Sequence, residues 1–222
     1  MSRVASIERT PKKRAVLEKD KLSKKSSIIN AAAFLLQKKD WSQLSMDEVA
    51  KRAKIAKGTL YLYFPTKEDL CLRVHNIDYE AWFRDLIDYL VSNPKVTPEK
   101  FANWFVDSMN NHPRFLKLLP IVPTILEKNA SIETIREFKT NLRNQILEVI
   151  PLLISSLNFP NEEASFFFLM QCHALAVGSW SHGFPSANVK EALNEQSLNI
   201  FMIDYVQFVK RSVLTLILGQ TK

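Results

Sequence analysis

The chain has 222 residues, 46% of them hydrophobic, enough to enclose a core and to exclude a disordered polymer. Its net charge of +7 is unevenly placed, with 17 basic and 8 acidic side chains in residues 1–75 against 13 and 15 in the remainder. A basic head on a nearly neutral body suits a polyanion partner, and it equally suits a merely solvated surface. No apolar run reaches the ~18 residues of a bilayer span, and the N-terminal stretch lacks the apolar segment of a secretory signal. The two cysteines, Cys71 and Cys172, fit no metal or redox spacing. The expectation is a cytoplasmic protein with reduced thiols, no cofactor and no membrane partner.

With four glycines in the whole chain and apolar residues recurring at helical spacing, the fold class is predicted to be all-α. Residues 1–22 are polar and charged around Lys12-Lys13-Arg14 and are predicted to be a flexible basic arm, which either tracks a nucleic-acid backbone or is a solvated tail. A first helix is expected from Ser23 to Lys38, with Ile28, Ile29, Ala32, Leu35 and Leu36 inward. Ser45 with Glu48 three residues on is a capping box and opens a short helix whose apolar face is Met46, Val49, Ala50 and Ala53. Another short helix covers Lys57 to Phe64, stopped by Pro65. Thr66 then caps a long helix to about Val91, with Glu68 and Asp69 in the first turn.

Downstream, Thr97-Pro98-Glu99 opens a helix to about Asn111, and Pro113, Pro120 and Pro123 break the next stretch into short pieces. Ser131 opens a longer helix that Pro151 is expected to kink or divide. Asn161-Glu162-Glu163 starts one that runs to Gly183, and a last helix is expected from about Glu195 to Leu218, closed by Gly219.

Two short helices joined by about three residues, behind a supporting helix and inside the basic third of the chain, meet the requirements of a helix-turn-helix DNA reader. In the second of them Leu60 and Phe64 face the core, leaving Lys57, Thr59, Tyr61 and Tyr63 to face outward beside Lys67. Gly58 is the only glycine in the first 177 residues. It permits either close approach to DNA or close packing between helices.

The stretches Ser45-Met46-Asp47-Glu48-Val49-Ala50, Gly58-Thr59-Leu60-Tyr61-Leu62-Tyr63-Phe64 and Thr66-Lys67-Glu68-Asp69-Leu70 resemble the DNA-binding domain of the tetracycline-repressor (TetR) family over about residues 24–72. The resemblance implies an N-terminal three-helix helix-turn-helix DNA-binding domain at 23–70 and a larger C-terminal helical domain at 71–222 for effector binding and dimerisation. It implies that Ser45, Thr59, Tyr61, Tyr63 and Lys67 touch the DNA backbone, while Lys57 and Gly58 approach base edges. The chain departs from the family pattern at Lys54, where a turn glycine is common; a lysine held at positive φ costs roughly 1 kcal/mol.

The function implied is a ligand-responsive transcriptional regulator, by family habit a repressor, that binds a palindromic double-stranded operator as a homodimer. A small-molecule effector releases it, by a pivot of the helix from Thr66 that changes the spacing of the two heads. Phe166, Phe167, Phe201 and Tyr205 are the candidates for the dimer interface, unless they are internal core. For a hydrophobic or amphipathic effector the candidates are Trp104, Phe105, Phe115, Phe138, His173, Trp180 and His182, with ordinary core packing as the competing reading. The four histidines show no metal-type pairing, and no phosphate loop or nucleophile elbow is present, so no enzyme is expected. The alternative is an effector-independent architectural DNA-binding protein on the same scaffold.

Overall fold

A computed structural model describes residues 11–220, with side-chain surroundings from residue 18. The head is built from α1 (Pro11–Lys38), a 3-10 turn at Trp41–Gln43, α2 (Met46–Ala53) and α3 (Lys57–Tyr63). The body comprises α4 (Lys67–Ser92), α5 (Pro98–Asn111), α6 (Pro113–Leu118), α7 (Glu127–Asn129), α8 (Ile132–Leu157), α9 (Glu162–Gly183), α10 (Ala187–Ala192) and α11 (Tyr205–Gln220). Among the described residues there is no strand, and no helix is long and apolar enough to cross a membrane.

Three boundaries differ from expectation. The backbone is already helical at Pro11, so the segment 11–22 extends α1 and does not form an irregular arm. Residues 1–10, and the side chains of Lys12, Lys13 and Arg14, lie outside the described residues. Pro151 neither divides nor ends α8, which continues to Leu157. Proline removes the donor to the carbonyl four residues back, that of Leu147, a half-exposed position on the surface of α8. The last helix begins at Tyr205, not Glu195, because Asp204 Oδ1 accepts the Gln207 N–H at 3.1 Å and caps it there. The 3-10 turn at Gln196–Phe201 occupies the interval, after the short α10.

Head packing follows the apolar spacing closely. Ile28, Ala32, Leu36, Val49, Ala50, Leu60 and Phe64 are all buried. Fully burying a side chain such as Leu60 or Phe64 is worth about 1.5–3 kcal/mol, which fixes the rotation of α3 about its own axis. Lys54, the C-cap of α2, has φ 56° and ψ 44°, the left-handed region. Lys54→Gly is therefore expected to raise stability by about 0.5–1 kcal/mol, seen as a higher midpoint in thermal melting. An unchanged or lower midpoint would show that the turn does not strain the lysine.

In the body, α4 packs chiefly along α8, while α11 packs on α5 and α9. Pro120 and Pro123 deny regular donors to the chain after α6, which passes through a 3-10 turn and one π turn before reaching Glu127. Those turns leave a space beside α4 lined with aromatic rings. Both cysteines are buried, and burial pushes the Cys71 thiol up to about 12, so it is inert packing material.

Candidate DNA-reading head and effector cavity

The head presents α3 on two capped supports. Ser45 Oγ accepts the Asp47 N–H at 3.2 Å, and Glu48 returns a carboxylate oxygen to the Ser45 N–H at 3.3 Å. Lys39 donates to Glu48 at 2.7 Å and is the first reason its carboxyl lies below the usual range. With Leu60 and Phe64 anchored inward, Gly58 is exposed on the opposite side, Lys57 and Tyr61 are exposed along one flank, and Thr59 and Tyr63 sit half-buried on the other. Ser45 is exposed at the start of α2. Lys57 forms an ion pair with Asp47 at 2.7 Å that raises its pKa, so it is a cation held at the rim of this surface.

Lys67 is tied down by its own chain. Its Nζ donates to the carbonyls of Trp41 at 2.8 Å and Leu44 at 3.0 Å and lies over the Trp41 ring. Two of its three N–H groups thus latch the turn before α2 to the start of α4, leaving one for any phosphate. The face also carries a residue that the sequence pattern alone did not single out. Leu62 is 85% exposed, the most exposed large apolar side chain of the described residues. Its signal was available, because it stands opposite Leu60 and Phe64 in helical projection.

Four of the seven candidate effector residues meet around one cavity. Phe105, Phe115, Phe138 and His173 line a space of about 130 Å³, together with Tyr79, Trp82 and Phe83 of α4. Trp104 instead stacks on Tyr89 at 4.7 Å, Trp180 stacks on Phe184 at 4.1 Å, and His182 is exposed, so these three lie outside it. Tyr79 and Trp82 were missed although three-residue spacing on one helix sets them on one face. Polar groups are few: Tyr79 Oη lies 3.3 Å from His173 Nδ1, and Lys139 pairs with Glu127 at 2.6 Å. Burial, followed by the charge of Lys139, lowers the His173 pKa, favouring a neutral ring at the cavity wall.

Head and body are joined beside this cavity. Arg114, next to the cavity residue Phe115, binds both carboxylate oxygens of Asp78 on α4, with contacts of 2.6 and 2.9 Å, and donates to the Ala33 carbonyl of α1 at 3.0 Å. Asp69 makes a further tie, within the body. It accepts the Thr66 hydroxyl at 2.8 Å and the Ser131 backbone N–H at 2.8 Å, tying the start of α4 to the start of α8. Burial acts to raise the Asp69 carboxyl, but these hydrogen bonds outweigh it and hold the carboxyl low.

Of the dimer candidates, Phe166 and Phe167 are exposed on α9, and Phe201 is exposed in the 3-10 turn. Tyr205 is a correction: it is 7% exposed and packs inside the protomer against Trp180 and Phe184, close enough to Gly183 that a Cβ there would come within 2.5 Å. The exposed ridge of α9 continues through Phe167, Met170, Gln171, Ala174 and Gly178, beside an open groove against Gln207, Phe208, Arg211 and Thr215 of α11.

Comparison with known proteins agrees with this two-part layout. Residues 28–74 match the model of the bacterial regulatory proteins, tetR family, and residues 77–222 match the tetracyclin repressor-like C-terminal domain. The uncharacterized HTH-type transcriptional regulator YuxN of Bacillus subtilis is 31% identical over 103 residues, 46% of this chain and 34% of that protein. The HTH-type transcriptional regulator EthR of Mycolicibacterium smegmatis is 29% identical over 114 residues, 49% of this chain and 52% of that protein. The chain thus spans between a third and about half of the length of these relatives. Among solved structures, a transcriptional regulator from Cytophaga hutchinsonii superposes with a TM-score of 0.56 at 16% identity, over 87% of this chain and 94% of that one.

Proposed function

Because this chain belongs to the tetracycline-repressor family of bacterial regulatory proteins, we propose that it is a ligand-responsive transcriptional repressor that grips a palindromic operator as a homodimer. The observation that carries the reading is the position of Phe115. Its ring lines the cavity, and the adjacent Arg114 clamps α4 and α1 together. A ligand that moves Phe115 acts directly on the joint that sets the angle of the DNA-reading head.

The occupant of the cavity is a largely hydrophobic or amphipathic small molecule. The rings and aliphatic side chains supply apolar area, Tyr79 and His173 supply one polar anchor, and the half-exposed Lys139 stands at the edge for an acidic headgroup. A cavity of about 130 Å³ admits only a short chain or one ring, so a larger effector requires the lining to open. Homodimerisation through α9 and α11 is supported by the apolar ridge at Phe167 and Met170. The small residues Ala174 and Gly178 let a second backbone come close, and nothing beyond its own neighbouring helix turn lies within 4 Å of the Gly178 Cβ position.

The testing experiment is selection of duplexes from a random-sequence pool by the wild type and, in parallel, by Tyr61→Ala. The wild type is expected to enrich an inverted repeat, and Tyr61→Ala to bind that repeat about tenfold more weakly, the loss of a phosphate hydrogen bond. Salt-sensitive binding without enrichment would replace this reading with the effector-independent architectural one. Thermal-shift screening against hydrophobic, amphipathic and polar compounds tests the cavity, and stabilisation by polar compounds alone would reject the proposed ligand class.

A further inference from the structure

The outermost ridge of α3 is not polar. At 3.6 residues per turn, Gly58 and Leu62 are one turn apart and stand diametrically away from Leu60 and Phe64, which are buried in the head. Lys57 and Tyr61 fall on one flank of that ridge and Thr59 on the other. When the helix enters a groove, this ridge goes deepest and the flanks meet the strands.

Two features of the ridge fit together. Gly58 presents bare backbone, with nothing beyond its own neighbouring helix turn within 4 Å of the place its Cβ would occupy. Helical side chains lean toward the N-terminus of their helix, so Leu62 stands one turn on from that bare backbone along the same edge without covering it. Leu62 is 85% exposed, so its isobutyl group covers little of its own chain. It has no donor or acceptor for a phosphate or for a base-edge polar group, so on a DNA-facing ridge it gains free energy only by meeting apolar surface. The apolar group on the floor of the major groove is the C5 methyl of thymine.

We propose that Leu62 reads a thymine methyl group in each operator half-site, beside the bare backbone of Gly58. This rests on the reading of the head as a sequence-specific DNA binder and adds the base that the ridge selects. The polar flanks set register on the backbone, while this contact discriminates thymine from cytosine at the same position, where the methyl is absent and an amino donor replaces a carbonyl acceptor.

Replacement of thymine by deoxyuridine removes the methyl and nothing else. Duplexes enriched by the wild type are rebuilt with each thymine changed in turn, and affinity is read by fluorescence anisotropy at one fixed salt concentration. One thymine per half-site is expected to weaken binding about fourfold when changed, the transfer free energy of one methyl group, and the loss should multiply when both half-sites are changed. Leu62→Ala, a surface change whose melting curve should match the wild type, is expected to bind the thymine and deoxyuridine duplexes equally. Enriched duplexes in which no thymine is sensitive, or Leu62→Ala that keeps the full wild-type sensitivity, would overturn the inference while leaving sequence-specific binding intact. A wild type that enriches no sequence would overturn both.

Discussion

Arg114→Met is expected to destabilise the folded protein by about 3–5 kcal/mol, read as a lower urea midpoint at an unchanged denaturant slope. The size of the effect comes from what is left behind. Asp78 is 6% exposed, and burial already pushes its carboxyl upward against the opposing pull of Arg114. Without the guanidinium, Asp78 must stay ionised with no counter-charge in a buried site or take up a proton. The same change strips the Ala33 carbonyl of its donor at 3.0 Å and releases α1 from α6. Adding Asp78→Leu to Arg114→Met should recover most of the loss, because a pair replaced by apolar groups costs far less than a pair that is broken. Arg114→Lys should fall between, since one ammonium cannot span both carboxylate oxygens and a carbonyl in a planar fork. If Arg114→Met leaves the urea midpoint unmoved, the clamp carries no net stability and the coupling built on it fails.

The same variant separates holding the heads from moving them. In the fraction that remains folded, α3 keeps its own anchors, Leu60 and Phe64, so the DNA surface itself persists. What disappears is the rigid link between Phe115 and α1, so a ligand that still binds should no longer change operator affinity. Coupling is a free-energy difference shared by two sites, and it vanishes when the element that both sites bias is cut.

The sequence makes the head more legible than the body for a physical reason. Head features are local: the Ser45–Glu48 capping box, the stop at Pro65 and the Thr66 cap are all set within a few residues and occur where the spacing places them. The body depends on which face of each long helix meets which neighbour, and aromatic residues satisfy many arrangements. Phe105 and Phe115 reached the cavity while Trp104 and Trp180 found stacking partners elsewhere. Tyr205 looked like an interface residue because its helix is apolar on several sides, but it packs against Gly183 in its own protomer. Lys67 shows the same limit. Its position predicts an exposed cation, while the two carbonyls that capture it come from residues more than twenty positions away.

His75 produces the other large effect, and its sign is set by burial. The ring is fully buried, neither nitrogen has a hydrogen-bond partner, and it lies against Phe115 at 5.3 Å and Tyr79 at 4.7 Å. Burial first, and then the electrostatic influence of the neighbouring His173 ring and of the Arg114 guanidinium, push its pKa down to about 3 from 6.5. The unfolded chain therefore takes up a proton as pH falls through 6.5, whereas the folded chain stays neutral until about 3. Stability is level above pH 7 and falls as the solution is acidified across that interval, by about 2 kcal/mol between pH 7 and pH 5 from this ring alone. His173, also shifted downward, adds loss of the same sign, whereas Asp78, shifted upward, opposes it at the acid end. His75→Leu fills a similar volume without a titrating group. It should flatten the dependence by about that amount and, by removing two unsatisfied polar atoms, hold or raise stability at pH 7. Urea midpoints at pH 7, 6 and 5 for the wild type, His75→Leu and His173→Gln assign the slope. A His75→Leu protein that loses stability with acid as steeply as the wild type would show that the ring is not kept neutral by its surroundings.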